Sequence, residues 1–556
     1  MRRLAALWLG ALLAAGIAAG AGHPVFARHG MVVAQEPLAA EAGLEVLRDG
    51  GNAVDAAVAT AFVLAVTHPA AGNIGGGGFL LLRQADGKAT FIDFREQAPA
   101  AATPEMYLDE YGRLTDESRT GWRASGVPGT VKGLEYAHRH YGTKPWGELV
   151  EPAIRLAREG FEIPYWLARS LRASKRLARF EESRRIFLKG GEYYEPGERL
   201  VQPELAATLE RIARHGAEDF YRGETARRLA EEMKAHGGLI TLKDLAAYKV
   251  YERAPLEGRY GNVRILSAPP PSSGGVGLLQ MLGMLEGSGY QRAGWGAAAT
   301  IHYVAEVMRR FYADRSEYLA DPGFYRPPIE RLLDPDYLAA RRRTIDPERA
   351  SSSEEIGPGL AGWSESAETT HLSVMDKDGN AVALTYTING SFGSGVTVPG
   401  LGFLLNNEMD DFSAKPGEPN MFGLVQGEAN RIEPGKRPLS SMTPTIVVRR
   451  GRAYIVLGAP GGSRIINGVL QVLLNVLDFK MNIQEAVNRP RFHHQWKPDK
   501  LFLEDGFSPD TVALLERRGH EIASIPAVAV VEAILYDGKY LQGATDPRGH
   551  GRAAGY

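Results

Sequence analysis

The sequence predicts a mixed α/β fold, and three observations support this prediction. Residues 371–376 and 381–388 form two runs of mostly alternating character that predict a β-hairpin. Residues 37–48 and 52–66 are alanine-rich and predict two helices, separated by a pair of glycines that ends the first one. Finally, 44% of the 556 residues are hydrophobic, which is enough for one large globular core or two closely packed cores.

The connection between the two runs fixes the register of the hairpin. Residues 377–379 make a three-residue loop whose glycine can adopt the left-handed conformation of a bulged turn. If Asp376 closes this turn against Asn380, every later pair is determined, because a slip of one residue would exchange the two faces. On the mostly apolar face the opposed pairs are then Thr370 with Tyr386, Leu372 with Leu384, and Val374 with Val382.

The other face of the hairpin carries a polar cluster at its open end. Thr369 lies opposite Thr387, and Asn389 follows two residues later. Because threonine is common in strands, ordinary edge-strand chemistry is one interpretation. The other is a threonine nucleophile, which needs a base at pH 7. A cut just before Thr369 would free an α-amine with a pKa of roughly 8 to act as that base. This hypothesis depends on whether Glu368-Thr369 is a processing site.

The stretch before Thr369 has the composition of a cleavable segment. Residues 350–368 are small and polar, rich in serine and glycine, and without an apolar period. They predict a flexible, exposed segment of the kind in which a chain can be cut.

Composition restricts the class of protein. The net charge of -2 argues against binding to nucleic acid or to a membrane surface. The absence of cysteine excludes thiol catalysis, thiolate metal sites and disulfides.

The N-terminus predicts export. Arg2 and Arg3 precede an apolar run over 4–19 and a small-residue exit, which together predict a signal peptide over residues 1–21. A retained membrane anchor is the alternative, although the run is short for a membrane span. We therefore expect a periplasmic or secreted protein.

Two features of the N-terminal half could belong to a site. The glycine-rich loop at 72–78 lacks the Lys-Ser/Thr of a phosphate-binding loop and leads into a strand, so tight backbone packing is favoured over nucleotide binding. Arg95 follows a predicted strand at 90–94, where it is either solvated or a bidentate anchor for a carboxylate.

Two further features lie after the hairpin. The acidic residues Glu408, Asp410 and Asp411 match no calcium loop and have no histidine beside them, so a pocket for a substrate amine is favoured over a metal site. Gly461 and Gly462 follow a strand and could direct their N–H groups into an oxyanion hole, or form a plain turn. Residues 415–430 predict a mobile loop.

Taken in order, several motifs resemble the γ-glutamyltranspeptidase family over essentially the whole chain beyond the leader. Each motif is weak alone, but their order is specific. They are residues 50–57, 75–78, 93–96, 269–275, 369–371, 406–413, 438–442, 460–464 and 554–556.

This resemblance implies an N-terminal-nucleophile hydrolase with a four-layer αββα sandwich. It implies a precursor that cuts itself at Glu368-Thr369 into a large subunit, 22–368, and a small subunit, 369–556, which form one intertwined heterodimer. Thr369 would be the nucleophile, tuned by Thr387, and Gly461 and Gly462 would supply the oxyanion-hole amides. Arg95, with Ser440 and Ser441, would hold the substrate α-carboxylate; Asn389, Glu408 and Asp411 would hold its α-ammonium; and Phe422 would gate an active-site lid.

The implied activity is hydrolysis or transfer of γ-glutamyl groups from glutathione-like donors to water, amino acids or peptides, with no cofactor and no metal. The resemblance implies glutamine at position 408 in bacterial relatives, whereas this sequence has glutamate there, which adds charge near the ammonium. A glutaryl-type amidase or β-lactam acylase of the same superfamily is the first alternative. An exported binding protein with a degenerate site is the second.

Overall fold

The computed structural model describes residues 22–359, 369–415, 421 and 427–556. Two seven-stranded antiparallel sheets occupy the middle of this part of the chain. We call the one containing the predicted hairpin the hairpin sheet and the other the second sheet. The hairpin sheet has the strand order Arg552–Gly555, Met31–Ala34, Thr370–Met375, Ala381–Thr387, Gly77–Arg83, Ala89–Phe94, Tyr251–Arg253. The second sheet has the order Val25–Ala27, Leu541–Ala544, Glu532–Tyr536, Arg452–Gly458, Thr445–Arg449, Val263–Ser267, Leu256–Tyr260.

Helices cover the outer face of each sheet. Those against the hairpin sheet are Pro37–Arg48, Ala53–Thr67, Thr130–Tyr141, Trp146–Glu159, Tyr165–Ala173, Glu181–Phe187, Pro203–His215, Ala217–Arg222, Glu224–Ala235 and Leu242–Ala247. Those on the side of the second sheet are Gly274–Leu285, Ala298–Tyr318, Ile329–Leu332, Pro335–Arg343, Ile465–Leu477, Ile483–Asn488 and Pro509–Arg517. Short strands at Phe161–Glu162, Arg199–Leu200, Phe492–His493, Leu501–Leu503 and Ile522–Ser524 complete the fold.

Three apolar cores separate the four layers. One lies between the first helix group and the hairpin sheet, one between the two sheets, and one between the second sheet and the remaining helices. Alternate residues of the hairpin enter different cores: Leu372 and Leu384 face the helices, whereas Met375 and Ala383 face the second sheet. The predicted four-layer αββα sandwich is confirmed.

The register of the hairpin is confirmed as well. Thr370 pairs with Tyr386, and the remaining pairs follow to Met375 with Ala381. The Asp376 N–H donates to the Asn380 carbonyl oxygen at 3.1 Å, which closes the turn as predicted. Gly379 has a φ of 93°, a positive value that glycine adopts without steric cost.

This register places the predicted site residues at one edge of the hairpin sheet. Thr369 precedes one strand, Thr387 ends its neighbour, and Thr387 in turn pairs with Gly77 at the start of the next strand. Because Gly78 pairs with Phe94, Arg95 leaves the sheet at this same edge. In antiparallel sheets the end of one strand lies beside the start of its neighbour, which is why residues far apart in sequence meet here.

The predicted exposed segment over 350–368 is described only up to Gly359, and in that part Glu354, Glu355 and Gly359 are exposed while other residues are anchored. Ser353 is buried, and the Trp496 indole N–H donates to the carbonyl oxygens of Ser353 and Ile356. The polar side chains and carbonyls that suggested a loop are used in contacts with helix Ala298–Tyr318 and with residues 494–499. Residues 360–368, including Glu368, lie outside the described residues, as do Phe422 and the leader at 1–21. In the part of the chain that is described, no helix is long and apolar enough to cross a membrane.

Candidate active site

The threonine end of the hairpin is enclosed. Thr369 is 5% exposed and Thr387 1%. The Thr387 hydroxyl oxygen accepts a hydrogen bond from the Asn389 N–H at 2.8 Å. Asn389 has a φ of 68°, a left-handed conformation that asparagine tolerates better than most residues.

The Asn389 side chain is held in a defined orientation. Its Nδ2 donates to the Asn407 carbonyl oxygen at 2.9 Å. Its buried Oδ1 has no hydrogen-bond donor within the described part of the chain. An unsatisfied buried acceptor is costly, so this oxygen is a natural acceptor for a ligand ammonium.

The glycine-rich loop packs directly beneath these residues. A Cβ atom added at Gly76 would overlap the Thr387 carbonyl oxygen, and one added at Gly78 would lie 2.5 Å from the Thr385 carbonyl oxygen. The Asn406 side chain fastens the loop by donating to the Gly75 carbonyl oxygen at 2.9 Å. The structure therefore agrees with the close-packing interpretation, since glycine is needed where two backbones approach this closely.

Arg95 is the centre of the polar pocket. It is fully buried, and its guanidinium forms ion pairs with Glu408 and Asp411. Its Nε donates to the Pro438 carbonyl oxygen at 3.1 Å. The structure therefore brings together an arginine and two acids that are more than 300 positions apart in sequence. The predicted anchor for a carboxylate is thus paired with the predicted anchors for an ammonium.

The charges of this cluster depend on one another. Burial and the Glu408 carboxylate raise the pKa of Glu96 well above its ordinary value. Burial also raises the pKa of Glu408, although Arg95 opposes the rise. For Arg95, burial alone would lower the pKa, but the surrounding carboxylates, Glu408 first, raise it above its ordinary value. Arg95 is thus held in its charged form by the carboxylates around it.

Ser440 and Ser441 lie on the loop that supplies carbonyl oxygens to Arg95. The Ser441 hydroxyl accepts a hydrogen bond from Arg315 Nη2 at 2.7 Å, and Arg315 Nε donates to Ser273 at 2.7 Å. The Ser440 carbonyl oxygen accepts the Ser273 N–H at 2.7 Å. Arg315 therefore joins the motif at 269–275, which leads into helix Gly274–Leu285, to the serine pair.

The strand that leads to the glycine pair crosses the hairpin close to Thr369. A Cβ atom at Gly458 would lie 2.5 Å from the His371 ring, so the two sheets are in close contact here. His371 is hydrogen-bonded to the Thr385 hydroxyl at 2.8 Å and to Ser373 at 3.0 Å. Burial lowers the pKa of His371 to about 3, so the imidazole is neutral near pH 7.

Gly461 and Gly462 line a cavity of about 320 Å³ together with Met421, His493 and Gln495. Their φ values of 143° and 64° lie in the region that favours glycine. Because the preceding strand packs on His371, the cavity lies at the same end of the molecule as Thr369.

The structure thus gathers most of the predicted residues. Hydrogen bonds or a shared edge of the hairpin sheet connect seven of them: Thr387, Asn389, Arg95, Glu408, Asp411, Ser440 and Ser441. Sequence reasoning missed Arg315, which lies in a helix among other charged residues and gives no local signal. It also gave no separate role to Asn407, although the paired asparagines before the acidic cluster were a signal for one.

One group of potential metal ligands occurs among the described residues, away from the pocket, at His302, Glu306 and His520. The Glu306 carboxylate is paired with Arg309 and Arg310, and the two imidazoles are hydrogen-bonded to each other at 2.8 Å. These contacts engage the Glu306 carboxylate and the two imidazole nitrogens that face each other, so we assign the group a structural role.

Comparison with known proteins identifies the family. The family model described as Gamma-glutamyltranspeptidase matches residues 39–556. The chain belongs to the γ-glutamyltranspeptidase family. It is 50% identical over 531 residues to the glutathione hydrolase proenzyme of Escherichia coli, covering 95% of this chain and 91% of that protein. The family predicted from the motifs is therefore confirmed, and the chain is an enzyme of this family.

Similar solved structures agree with the fold. A cephalosporin acylase from Bacillus halodurans is similar at a TM-score of 0.86 and 29% identity, covering 96% of this chain and 97% of that one. A Helicobacter pylori γ-glutamyltranspeptidase is 44% identical at a TM-score of 0.58, and 94% of that chain matches 59% of this one. The proenzyme name of the E. coli relative and the partial length of the H. pylori chain fit two subunits that come from one precursor.

Proposed function

We propose that this enzyme cleaves the γ-glutamyl amide of glutathione and related donors through a γ-glutamyl ester on Thr369. The observation that carries the proposal is the pairing of Arg95 with Glu408 and Asp411 inside a closed pocket at the threonine end of the hairpin. A γ-glutamyl group has a carboxylate and an ammonium on one carbon, so it matches a pocket built from a guanidinium and carboxylates.

Binding of the donor exchanges ion pairs in the pocket without changing its net charge, because the α-carboxylate and the α-ammonium of the donor have opposite charges. The α-carboxylate forms an ion pair with the guanidinium of Arg95 and is also bound by the Ser440 and Ser441 hydroxyls. The α-ammonium forms ion pairs with Glu408 and Asp411. It also donates a hydrogen bond to the Asn389 Oδ1, which accepts no other hydrogen bond among the described residues. A glutaryl group would supply the carboxylate alone and would leave Glu408 and Asp411 buried without a cation, which is unfavourable.

The reaction then takes place at Thr369. Its hydroxyl oxygen attacks the γ-carbonyl carbon while the free α-amine of the same residue accepts the hydroxyl proton. The amides of Gly461 and Gly462 stabilise the tetrahedral oxyanion, each by roughly 2.7–4 kcal/mol. On collapse the proton passes to the leaving nitrogen, and an amine product departs. Attack by water on the ester gives glutamate, and attack by an amino acid or peptide gives a new γ-glutamyl amide.

The precursor reacts by the same chemistry before the α-amine exists. The Thr369 hydroxyl attacks the carbonyl carbon of Glu368, the peptide bond is converted to an ester, and hydrolysis of the ester separates the two fragments. The cut leaves Thr369 as the first residue of the small subunit. We propose export to the periplasm or outside the cell, after removal of residues 1–21.

The test is direct. Purified wild-type protein should give two fragments on a denaturing gel, with Thr369 as the first residue of the smaller one, and Thr369→Ala should remain a single inactive chain. An uncut wild-type chain with full activity would refute the nucleophile assignment. γ-Glutamyl-p-nitroanilide should be a much better substrate than glutaryl-p-nitroanilide. The reverse order would favour an acylase instead. Localisation is tested by cell fractionation and by sequencing the N-terminus of the large fragment.

A further inference from the structure

Residues 350–359, which we call the strap, are anchored to the loop 493–499. The Trp496 indole N–H donates to the carbonyl oxygens of Ser353 at 2.8 Å and Ile356 at 2.6 Å. Asp499 Oδ2 accepts the Ser353 N–H at 2.7 Å, and its other oxygen is paired with Arg309. The strap is therefore tied through its backbone, and the ties connect a segment before the proposed cut to a segment after it.

Further contacts hold both ends of the strap. The Ala350 N–H donates to the Arg518 carbonyl oxygen at 2.7 Å, and the Gly359 N–H donates to Asp314 Oδ1 at 2.8 Å. The cut proposed at 368–369 lies beyond Gly359. All of these contacts can persist when the chain is no longer continuous.

The same loop also reaches the glycine pair. Gln495, which precedes Trp496, accepts on Oε1 a hydrogen bond from the Ser463 hydroxyl at 3.0 Å and another from His493 Nε2 at 2.8 Å. Ser463 directly follows Gly462, and its carbonyl oxygen accepts the Tyr312 hydroxyl. A continuous path therefore runs from the strap through Trp496 and Gln495 to the proposed oxyanion-hole backbone.

The two histidines of this loop each have one defined tautomer. His493 Nδ1 accepts from the Asn467 amide at 2.7 Å, so its proton is on Nε2. His494 Nδ1 accepts the Trp496 N–H at 3.1 Å, so its Nε2 donates to Asp499 at 3.3 Å. Burial lowers the pKa of His493 to about 3 and that of His494 to about 4, so both remain neutral near pH 7. The path consists of directional hydrogen bonds that do not change across the neutral range.

Trp496 has an unusual backbone. Its φ is 67°, although it is bulky and only 4% exposed. Such residues rarely adopt this region, and strain of this kind is retained where the surroundings over-determine it, often near functional sites.

We propose that the strap stays bound after the chain is cut and positions the Gly461–Gly462 loop through Trp496 and Gln495. This inference rests on the proposed function, since it takes the cut at Glu368-Thr369 and the oxyanion role of the glycines from it. Trp496 and Ser463 are positioning residues because they act through the glycine backbone and do not touch the substrate.

The experiment compares full-length Trp496→Phe, Ser463→Ala and the double variant with the wild type. Trp496→Phe keeps an aromatic ring at this buried position and removes the indole N–H together with the five-membered ring that carries it. Each single variant should still be cut into two fragments that purify together. kcat for γ-glutamyl-p-nitroanilide should fall about fivefold, equivalent to one lost hydrogen bond, while KM stays within about twofold. The double variant should lose no more than the worse single one, because both changes break one path. Trp295→Phe, at a stacked tryptophan outside the strap and its loop, is the matched control.

Three outcomes would overturn the proposal. The first is a processed Trp496→Phe variant whose kcat is within twofold of the wild type. The second is a double variant in which the two single losses of kcat multiply. The third is release of the strap by limited proteolysis without loss of activity. If the wild type has no γ-glutamyl turnover, the proposed function fails instead. Amide hydrogen exchange at residues 461–464 then tests the strap independently, since Trp496→Phe should accelerate it and unchanged exchange would refute the inference.

Discussion

Replacing Arg95 by lysine tests the recognition half of the mechanism. The guanidinium is fully buried and presents separate nitrogens to Glu408, Asp411 and the Pro438 carbonyl oxygen. A lysine keeps the positive charge but has one nitrogen, so it cannot hold a carboxylate with two parallel hydrogen bonds. The pocket should stay electrically balanced while its grip on the donor carboxylate weakens.

The magnitude follows from the bond that is lost. A hydrogen bond to a charged group contributes about 1.5–3 kcal/mol, and about 1.4 kcal/mol corresponds to a factor of ten. The KM for γ-glutamyl-p-nitroanilide should therefore rise about 10-fold to 150-fold. kcat should change much less, because Arg95 binds a part of the donor that does not react and holds it equally in ground and transition states.

Arg437→Lys is the matched control for this prediction. Arg437 is also buried, is paired with Asp93 and precedes the same loop, but it lies over Tyr248 and Tyr251 and not against Glu408 or Asp411. Its replacement should lower the melting temperature while leaving KM within about twofold. The reasoning about Arg95 is refuted if Arg95→Lys is folded and processed and its KM is within twofold of the wild type.

Four other predictions address the remaining parts of the structure. Gly76→Ala should prevent processing or destabilise the protein by at least about 1–3 kcal/mol, because the added methyl overlaps the Thr387 carbonyl oxygen. Gly357→Ala is the control in thermal unfolding and should be near neutral, because a methyl group there meets open space. Gly462→Ala should lower kcat with little change in KM, since φ is 64° there and the amide would move; equal kcat would argue for a plain turn. kcat/KM should rise with pH through about 7.7–8.0 as the Thr369 α-amine loses its proton, and His371→Gln should keep that limb, because His371, with a pKa near 3, is already neutral. Burial raises the pKa of Glu532 well above 4.5, so the folded state keeps a proton that the unfolded state loses. The free energy of unfolding should therefore fall as the pH rises above 4.5. Glu532→Gln should reduce that fall, as measured by denaturant titrations at several pH values.

The sequence by itself determined the hairpin register and several elements near it. Helix Pro37–Arg48 has the predicted bounds, and the helix predicted at 52–66 and the strand predicted at 90–94 are Ala53–Thr67 and Ala89–Phe94. These features depend on local chemistry: side-chain period, turn glycines and helix caps act over a few residues. The order of the motifs determined the family for a related reason, because each motif reports a local backbone or charge requirement.

Only the tertiary structure decided how the charged residues combine. The acidic cluster could be assigned to a substrate amine, but its pairing with Arg95 is created by strands that end at one edge of the hairpin sheet. Arg315 and Trp496 had no local signal, because their roles depend on what lies across the fold from them. The strap gives a further example. Its small polar residues predict a free segment, whereas the backbone groups of Ser353 and Ile356 are anchored by Trp496 and Asp499. Periodicity specifies which face of an element is buried, but the partners of a polar side chain are set by packing between distant segments.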